Sequence, residues 1–222
     1  MQQIAVHAFE PSHDIPPLAD DEIHLWLSLA PQAVKPRALS ALAHAELGRL
    51  LQAYAGVDRP PAIARGEHGK PYALDMGFPQ FNLSHSGQCI VFAFARDQEI
   101  GVDVEALRRR HSPIALAERF FAAEEVRALA ALDPSEQGAA FVRLWTCKEA
   151  VLKALGRGIA FGLDRLCFSL DASQMPGSLQ YIADEAGLPA DWQLCRFDPA
   201  PGHIGALAWR GQPRRVRTFR LG

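Results

Sequence analysis

The chain has 222 residues, enough for one large domain or two small ones with a sizeable core. Its composition, 49% hydrophobic and 22% charged, excludes a disordered or fibrous protein. A formal net charge of -2 gives no long-range attraction to nucleic acid or an anionic membrane, so any bound anion must be held by local basic residues.

The opening residues, MQQIAVHAFE, lack the basic and apolar regions of a signal peptide, and no apolar run approaches the roughly 20 residues that span a bilayer. Cys89, Cys147, Cys167 and Cys195 are scattered without C-x-x-C spacing and read as reduced, buried thiols of a cytoplasmic protein.

Residues 4–9 read as a short strand. Asp20 and Asp21 open a predicted helix with Ile23, Trp26, Leu27 and Ala30 on one side. Pro36 stands at a second helix start, where its missing N–H costs nothing. Leu39, Leu42, Ala43, Leu47, Leu50, Leu51 and Tyr54 follow at helical period, and Gly56 is the stop. Residues 57–80, rich in Pro and Gly, read as loop with room for one short strand. Residues 88–95 form an almost continuously apolar strand. Residues 96–99 are a polar turn, and residues 100–105 return as the partner strand of a hairpin. In that second strand Asp103 and Glu105 fall on one face, roughly 7 Å apart by strand rise.

Ser112 and Pro113 start a helix that ends near Phe121, and residues 123–132 form another. A longer helix begins at Ser135, with Phe141, Leu144, Trp145, Leu152 and Leu155 on its apolar side and Gly156 and Gly158 at its end. Residues 166–170, 193–197 and 204–209 read as strands. Arg214, Arg215, Arg217 and Arg220 read as a solvated end. The order predicts an α+β fold, helices packed on antiparallel sheets. A boundary near residues 96–101 divides it into residues 1–100 and 101–222.

Asp103 and Glu105 repel one another unless a cation or water lies between them. Their hard oxygens suit magnesium, although D-x-E alone also describes a solvated strand face. Lys153 lies four residues past Glu149, so the two share a helix face; a surface ion pair has the same spacing. Trp145 stands one turn earlier on that face. Ser84 and His85, in FNLSHS, offer a hydroxyl, backbone N–H groups and an imidazole to a phosphate, or simply make a turn. Gly69, Lys70 and Pro71 hold a lysine in a fixed turn.

The ordered set GKP, FNLSHS, GVDVE, RFF-x-x-EE and W-x-x-KEA-x-x-K, spanning Gly69 to Lys153, resembles the phosphopantetheinyl transferases. It is similar to their larger, monomeric surfactin-type branch. The resemblance implies two similar α/β halves related by a pseudo-twofold axis, with coenzyme A between them. It implies magnesium-dependent transfer of the 4'-phosphopantetheine arm of coenzyme A to a serine of an apo acyl or peptidyl carrier protein, releasing adenosine 3',5'-bisphosphate. Manganese is a possible substitute, and neither nucleic acid nor membrane is a partner.

By the same resemblance Asp103, Glu105 and Glu149 are the metal-site acids. Lys153 meets the pyrophosphate, with Lys148 beside it. Ser84 and His85 lie near the nucleotide phosphates, and Lys70 and Pro71 lie on the adenine side. Glu149 is the first candidate for the serine proton and Glu125 the second. Lys35, Arg37 and His44 are candidates for the 3'-phosphate; His44 stands where the family often has an arginine. Arg108 to Arg110, Arg119, Phe120 and Phe121 could form a carrier-binding groove, or a solvated arginine loop before a core helix. The rival reading is a non-catalytic coenzyme A-binding sensor, which would have no need of all three acids.

Overall fold

The computed structural model of the chain describes residues 2–4, 9–31, 34–107, 112–171, 173 and 175–222. Residues 22–29, EIHLWLSL, show how its layers arise. The sequence pattern predicts a helix here, but the segment is strand β3 (Glu22–Leu29). Seven consecutive residues of it are buried. A strand covered on both faces has no reason to alternate apolar with polar residues, so the period that marks a half-exposed strand is missing.

β3 is the middle of a five-stranded sheet. Before it come β1 (Gln2–Ile4) and β2 (Glu10–Ser12), and the five-stranded order is β2-β13-β3-β7-β6. The strand expected over residues 4–9 overlaps β1 only at Ile4; residues 5–8 lie outside the described residues, and Phe9 is not in a strand. Helix α1 (Pro36–Ala55) begins at its proline and ends on Gly56, whose left-handed φ of 65° closes the last turn. β4 (Ile63–Arg65) and β5 (Pro71–Ala73) make a two-stranded ribbon where one strand was expected. β6 (Gln80–Ser86) and β7 (Cys89–Ala95) form a hairpin.

β8 (Ile100–Ala106) does not pair with β7 as the sequence suggested. It crosses to a second sheet of order β1-β11-β12-β8. Between lie α2 (Pro113–Phe120), α3 (Ala123–Ala130) and α4 (Pro134–Leu155). β9 (Leu166–Leu170) and β10 (Pro176–Ile182) form a ribbon, and β11 (Trp192–Phe197) and β12 (His203–Arg210) extend the second sheet. The last strand, β13 (Arg215–Leu221), returns to the first sheet and runs parallel to both β2 and β3.

The result is helix, sheet, sheet, helix. On one side of the first sheet Leu39, Ala43, Leu47, Leu50 and Leu51 of α1 pack on Trp26, Ile90, Phe92 and Phe94. On its other side Ile23, Leu25, Leu27, Val91 and Ala93 meet Ile100, Val102, Val104, Leu207 and Trp209 of the second sheet. The outer face of the second sheet, with Ile204, Ala206 and Ala208, is covered by α4. The four cysteines are free and buried, as their spacing suggested. Among the described residues no helix is long and apolar enough to cross a membrane.

Two of the C-terminal arginines expected to be merely solvated, Arg215 and Arg217, hold a buried acid. Arg215 pairs with Glu22, and Nη1 of Arg217 lies 3.6 Å from the same carboxylate, which is 2% exposed. Glu22 also meets Nε2 of the buried His24, whose Nδ1 lies 2.7 Å from the Tyr54 hydroxyl. Burial favours the neutral imidazole and the Glu22 carboxylate can only accept, so Nε2 carries the ring proton and donates to Glu22. Nδ1 accepts from the Tyr54 hydroxyl, which itself accepts from Trp26 Nε1. The network fastens β13 to β3 and α1.

One close approach sets α4 on its sheet. A Cβ added to Gly101 of β8 would stand 2.1 Å from Ala150 O and 2.2 Å from Ala154 N, backbone atoms of α4. Only glycine lets the helix come so near. Gly101→Ala is expected to destabilise the protein by about 3 kcal/mol in chemical denaturation, because a whole helix must shift. Unchanged stability would mean that the helix does not depend on this contact.

Candidate active site

β8 is the edge of the second sheet and β6 the edge of the first. The two edges meet through side chains instead of a backbone ladder. Alternate residues of β6 reach across: Asn82 Oδ1 accepts from Val102 N at 2.8 Å, Ser84 Oγ donates to Asp103 Oδ1 at 2.8 Å, and Ser86 Oγ donates to Glu105 Oε2 at 3.1 Å. Ser86 Oγ also accepts from Ala106 N. The period-2 face of β6 thus places the acids of β8. Asn82 and Ser86 were missed in the sequence; the signal was there in N-x-S-x-S, three polar side chains at strand period on one face.

Helix α4 brings in the remaining groups. Lys153 Nζ donates to Asp103 Oδ1 at 2.7 Å, to Ser84 Oγ at 2.9 Å and to Val102 O at 3.2 Å. One turn earlier Glu149 feels both acids of β8. Burial pushes its carboxyl up to about 7, repulsion from Asp103 and Glu105 adds to this, and Lys153 opposes it. Oε1 of Glu149 and Oδ2 of Asp103 are shut off from solvent without a hydrogen-bond partner. Two orphaned carboxylate oxygens beside mutually repelling acids fit a hard divalent cation. Among the described residues no three acidic, histidine or cysteine side chains form a ready-made metal cage.

Two residues expected here lie elsewhere. Lys148 precedes Glu149 directly, so it projects about 100° away around the helix. Its ammonium is fully buried, 2.6 Å from Glu125 Oε2 and 2.8 Å from Leu163 O. Glu125, 1% exposed, accepts in addition from Phe168 N and Ala122 N. The pair joins α3, α4 and β9 in the interior, out of reach of a polyphosphate or a serine proton.

The nucleotide-side residues are dispersed. Lys70 spends its three ammonium donors on Glu99, Ile100 O and Ala154 O, tying the β4–β5 ribbon to the start of β8 and the end of α4. Pro71 opens β5 next to it. His85 is exposed and, one residue from Ser84, lies on the opposite face of β6. Lys35 and Arg37 are exposed near the start of α1. His44 is exposed as well, its Nδ1 donating to Ser40 O at 2.6 Å, and it flanks a groove of about 280 Å³ with Gly48, Arg49 and Pro60. Of the residues expected to form a carrier groove, Phe121 is buried and stacks on Phe141 at 4.9 Å, so it belongs to the core. Phe120 is half-buried against Trp145, and the Arg119 guanidinium lies over its ring. Arg108 to Arg110 lie outside the described residues.

A family model for the 4'-phosphopantetheinyl transferase superfamily matches residues 99–208, the stretch that carries Asp103, Glu105, Glu149 and Lys153. The 4'-phosphopantetheinyl transferase HetI of Nostoc sp. is 31% identical over 224 residues, covering 87% of this chain and 90% of HetI. The chain belongs to the 4'-phosphopantetheinyl transferase superfamily.

Other superfamily members match over shorter stretches. Psf-1 of Bacillus pumilus is 41% identical over 133 residues, 60% of this chain and 54% of that protein. Sfp of Bacillus subtilis is 41% identical over 100 residues, 44% of this chain and 42% of Sfp. The chain thus spans about half the length of several of the curated phosphopantetheinyl transferases it matches.

The position of Glu149 predicts a pH dependence of this transferase-family fold. Its folded pKa of about 7 lies above the ordinary 4.5, so between those values the native state holds a proton that the unfolded state has released. Without divalent cation, stability therefore falls as pH rises through that window and levels off above it. Glu149→Gln is expected to flatten this slope and to raise the melting temperature at pH 8 in the presence of a chelator. A variant as pH-sensitive as the parent between those limits would show that Glu149 is not crowded by the acids of β8.

Proposed function

We propose that the protein transfers the 4'-phosphopantetheine arm of coenzyme A to a serine hydroxyl of an apo acyl or peptidyl carrier protein, with release of adenosine 3',5'-bisphosphate. The single observation that carries this reading is the junction of Lys153, Ser84 and Asp103 with Glu149 one helical turn away. A cation donor and a hydroxyl stand beside acids with unspent oxygens, which is the pairing a pyrophosphate and its metal require. Superfamily membership supports the reaction class.

Asp103, Glu105 and Glu149 are the residues that would hold magnesium. When bound, the ion would neutralise charge on the pyrophosphate and make phosphorus more electrophilic. The protein's own groups do the rest. Lys153, 25% exposed, can exchange its bonds to Asp103 and Ser84 for phosphate oxygens. The Ser84 hydroxyl, released from Asp103, can donate to the same oxygens. The acceptor serine Oγ forms a bond to the β-phosphorus, and the bond from that phosphorus to the leaving adenosine bisphosphate oxygen breaks. The serine proton leaves by way of a water toward Glu149, since a carboxylate that holds the ion is itself a poor base. Lys153 stabilises the negative charge on the departing phosphate where it develops.

In this reading the two helix-covered sheets are the halves of a pseudo-symmetric molecule, divided near residue 100 except that β1 and β13 each join the other half's sheet, and coenzyme A lies where the edges β6 and β8 meet. Each sheet carrying one long helix on its outer face supports this arrangement. Lys35, Arg37, His44, Lys70 and His85 are the basic residues available to the nucleotide end.

Mass spectrometry of an apo carrier protein incubated with the enzyme, coenzyme A and magnesium is expected to show the gain of one phosphopantetheine group. Absence of that gain across acyl and peptidyl carriers would refute the proposal. Lys153→Ala is expected to lower kcat by about a hundredfold or more. Asp103→Asn is expected to abolish turnover while the thermal transition persists. If Asp103→Asn unfolds the protein but leaves activity per folded molecule intact, the acid is structural.

A further inference from the structure

A cavity of about 550 Å³ opens on the side of α4 that does not face the seam. Its wall includes Val151, two residues from Glu149 and two from Lys153, hence about 200° around the helix from each. The cavity is therefore a different place from the junction of β6 and β8, and its size is that of a small-molecule site.

The sheet leaves room for it. β1 pairs with β11 over residues 195–197, so the outer edge of residues 192–194 has no strand partner among the described residues. The β9–β10 ribbon is a separate sheet, and residues 177–179 of β10 form the wall facing that edge.

The lining has a definite chemistry. Phe168, Leu179, Trp192, Leu194 and Trp209 make it apolar. Both indoles have spent their only donor, Trp192 Nε1 on Ala186 O at 3.2 Å and Trp209 Nε1 on Gln212 O at 2.9 Å. They offer the cavity ring carbon alone, which suits a further ring packed offset or edge to face.

One charge enters, and it is positive. Arg214 lines the cavity, and no Asp or Glu does. Its Nη1 donates to Arg96 O at 3.0 Å, and among the described residues no carboxylate pairs with the guanidinium. Arg214 is half-buried, and its unpaired nitrogens remain open to solvent, so an incoming anion reaches them. The remaining N–H donors suffice for the two parallel bonds that a planar carboxylate accepts.

We propose that this cavity is a second ligand site, taking a small aromatic carboxylate with its ring among Phe168, Trp192 and Trp209 and its charge on Arg214. The site does not rest on the transfer reaction and stands or falls apart from it. An apolar lining with a single cation at its border excludes polyanions such as nucleotides, which need several donors, and gives a neutral ring no anchor for its orientation.

The test uses the full chain, with naphthalene-2-carboxylate as the ligand and naphthalene-2-carboxamide as its uncharged counterpart. Calorimetry is expected to show saturable binding of the carboxylate, with quenching of tryptophan fluorescence over the same range. The carboxamide is expected to bind about tenfold more weakly. R214Q should weaken the carboxylate by a similar factor and leave the carboxamide unchanged. Ala190 is exposed at the border of the cavity, so A190W can fill it from outside and should abolish binding of both compounds. Saturating coenzyme A and magnesium should leave the affinity for the carboxylate unaltered. No saturable binding, displacement by coenzyme A, full affinity in A190W, or equal affinity for carboxylate and carboxamide would each overturn the site. Should R214Q fail to fold, the comparison of the two compounds on the wild-type chain decides the role of the charge.

Discussion

The distance between α4 and β8 governs this molecule. Gly101 permits helix backbone to rest on strand backbone, and that contact carries Glu149 and Lys153 over Asp103. Packing forces like charges together, and one ammonium offsets part of the repulsion. The apolar face of α4, with Phe141, Leu144, Val151 and Leu152, supplies the driving force. The polar face is thereby held in an arrangement its own electrostatics would not choose, which is a common property of sites that bind ions or stabilise developing charge.

The second constraint lies between the two sheets. Edge strands with free backbone groups invite unwanted pairing. Here β6 and β8 cover each other, and Asn82, Ser84 and Ser86 stand in for a hydrogen-bond ladder. A side-chain seam is easier to open than a backbone ladder and leaves hydroxyls and carboxylates where a ladder would have only amides. The seam of the fold and the chemistry of the site are therefore the same set of residues.

Much of the site was legible because it is local. Asp103 and Glu105 share a face by strand period, and Glu149 and Lys153 share one by helical period; the structure joins those two faces. Helices α1, α2 and α4 were marked by Pro36, Pro113 and the glycines at 56 and 156. What was not legible depended on layers. The doubly covered β3 lost the alternation that identifies strands, and β8 looked like the return arm of a hairpin because nothing local shows that it changes sheets. Lys148 and Lys153 have similar contexts in the sequence, yet one is sealed against Glu125 and the other reaches the acids. Five residues of helical rotation decide the difference. Arg215 and Arg217 of β13 read as solvated because the acid that they grip, Glu22, lies nearly two hundred residues away.

That last pairing has a bearing on biogenesis. β13 lies between β2 and β3, so residues 215–221 fill a slot between strands made much earlier. The first sheet cannot be finished while the ribosome is still adding the residues in between. Until residues 215–221 emerge, β3 has an open flank and Glu22 lacks Arg215 and Arg217. Such non-local closure is intrinsically slow. A nascent chain of this architecture spends that interval with an unpaired strand edge exposed.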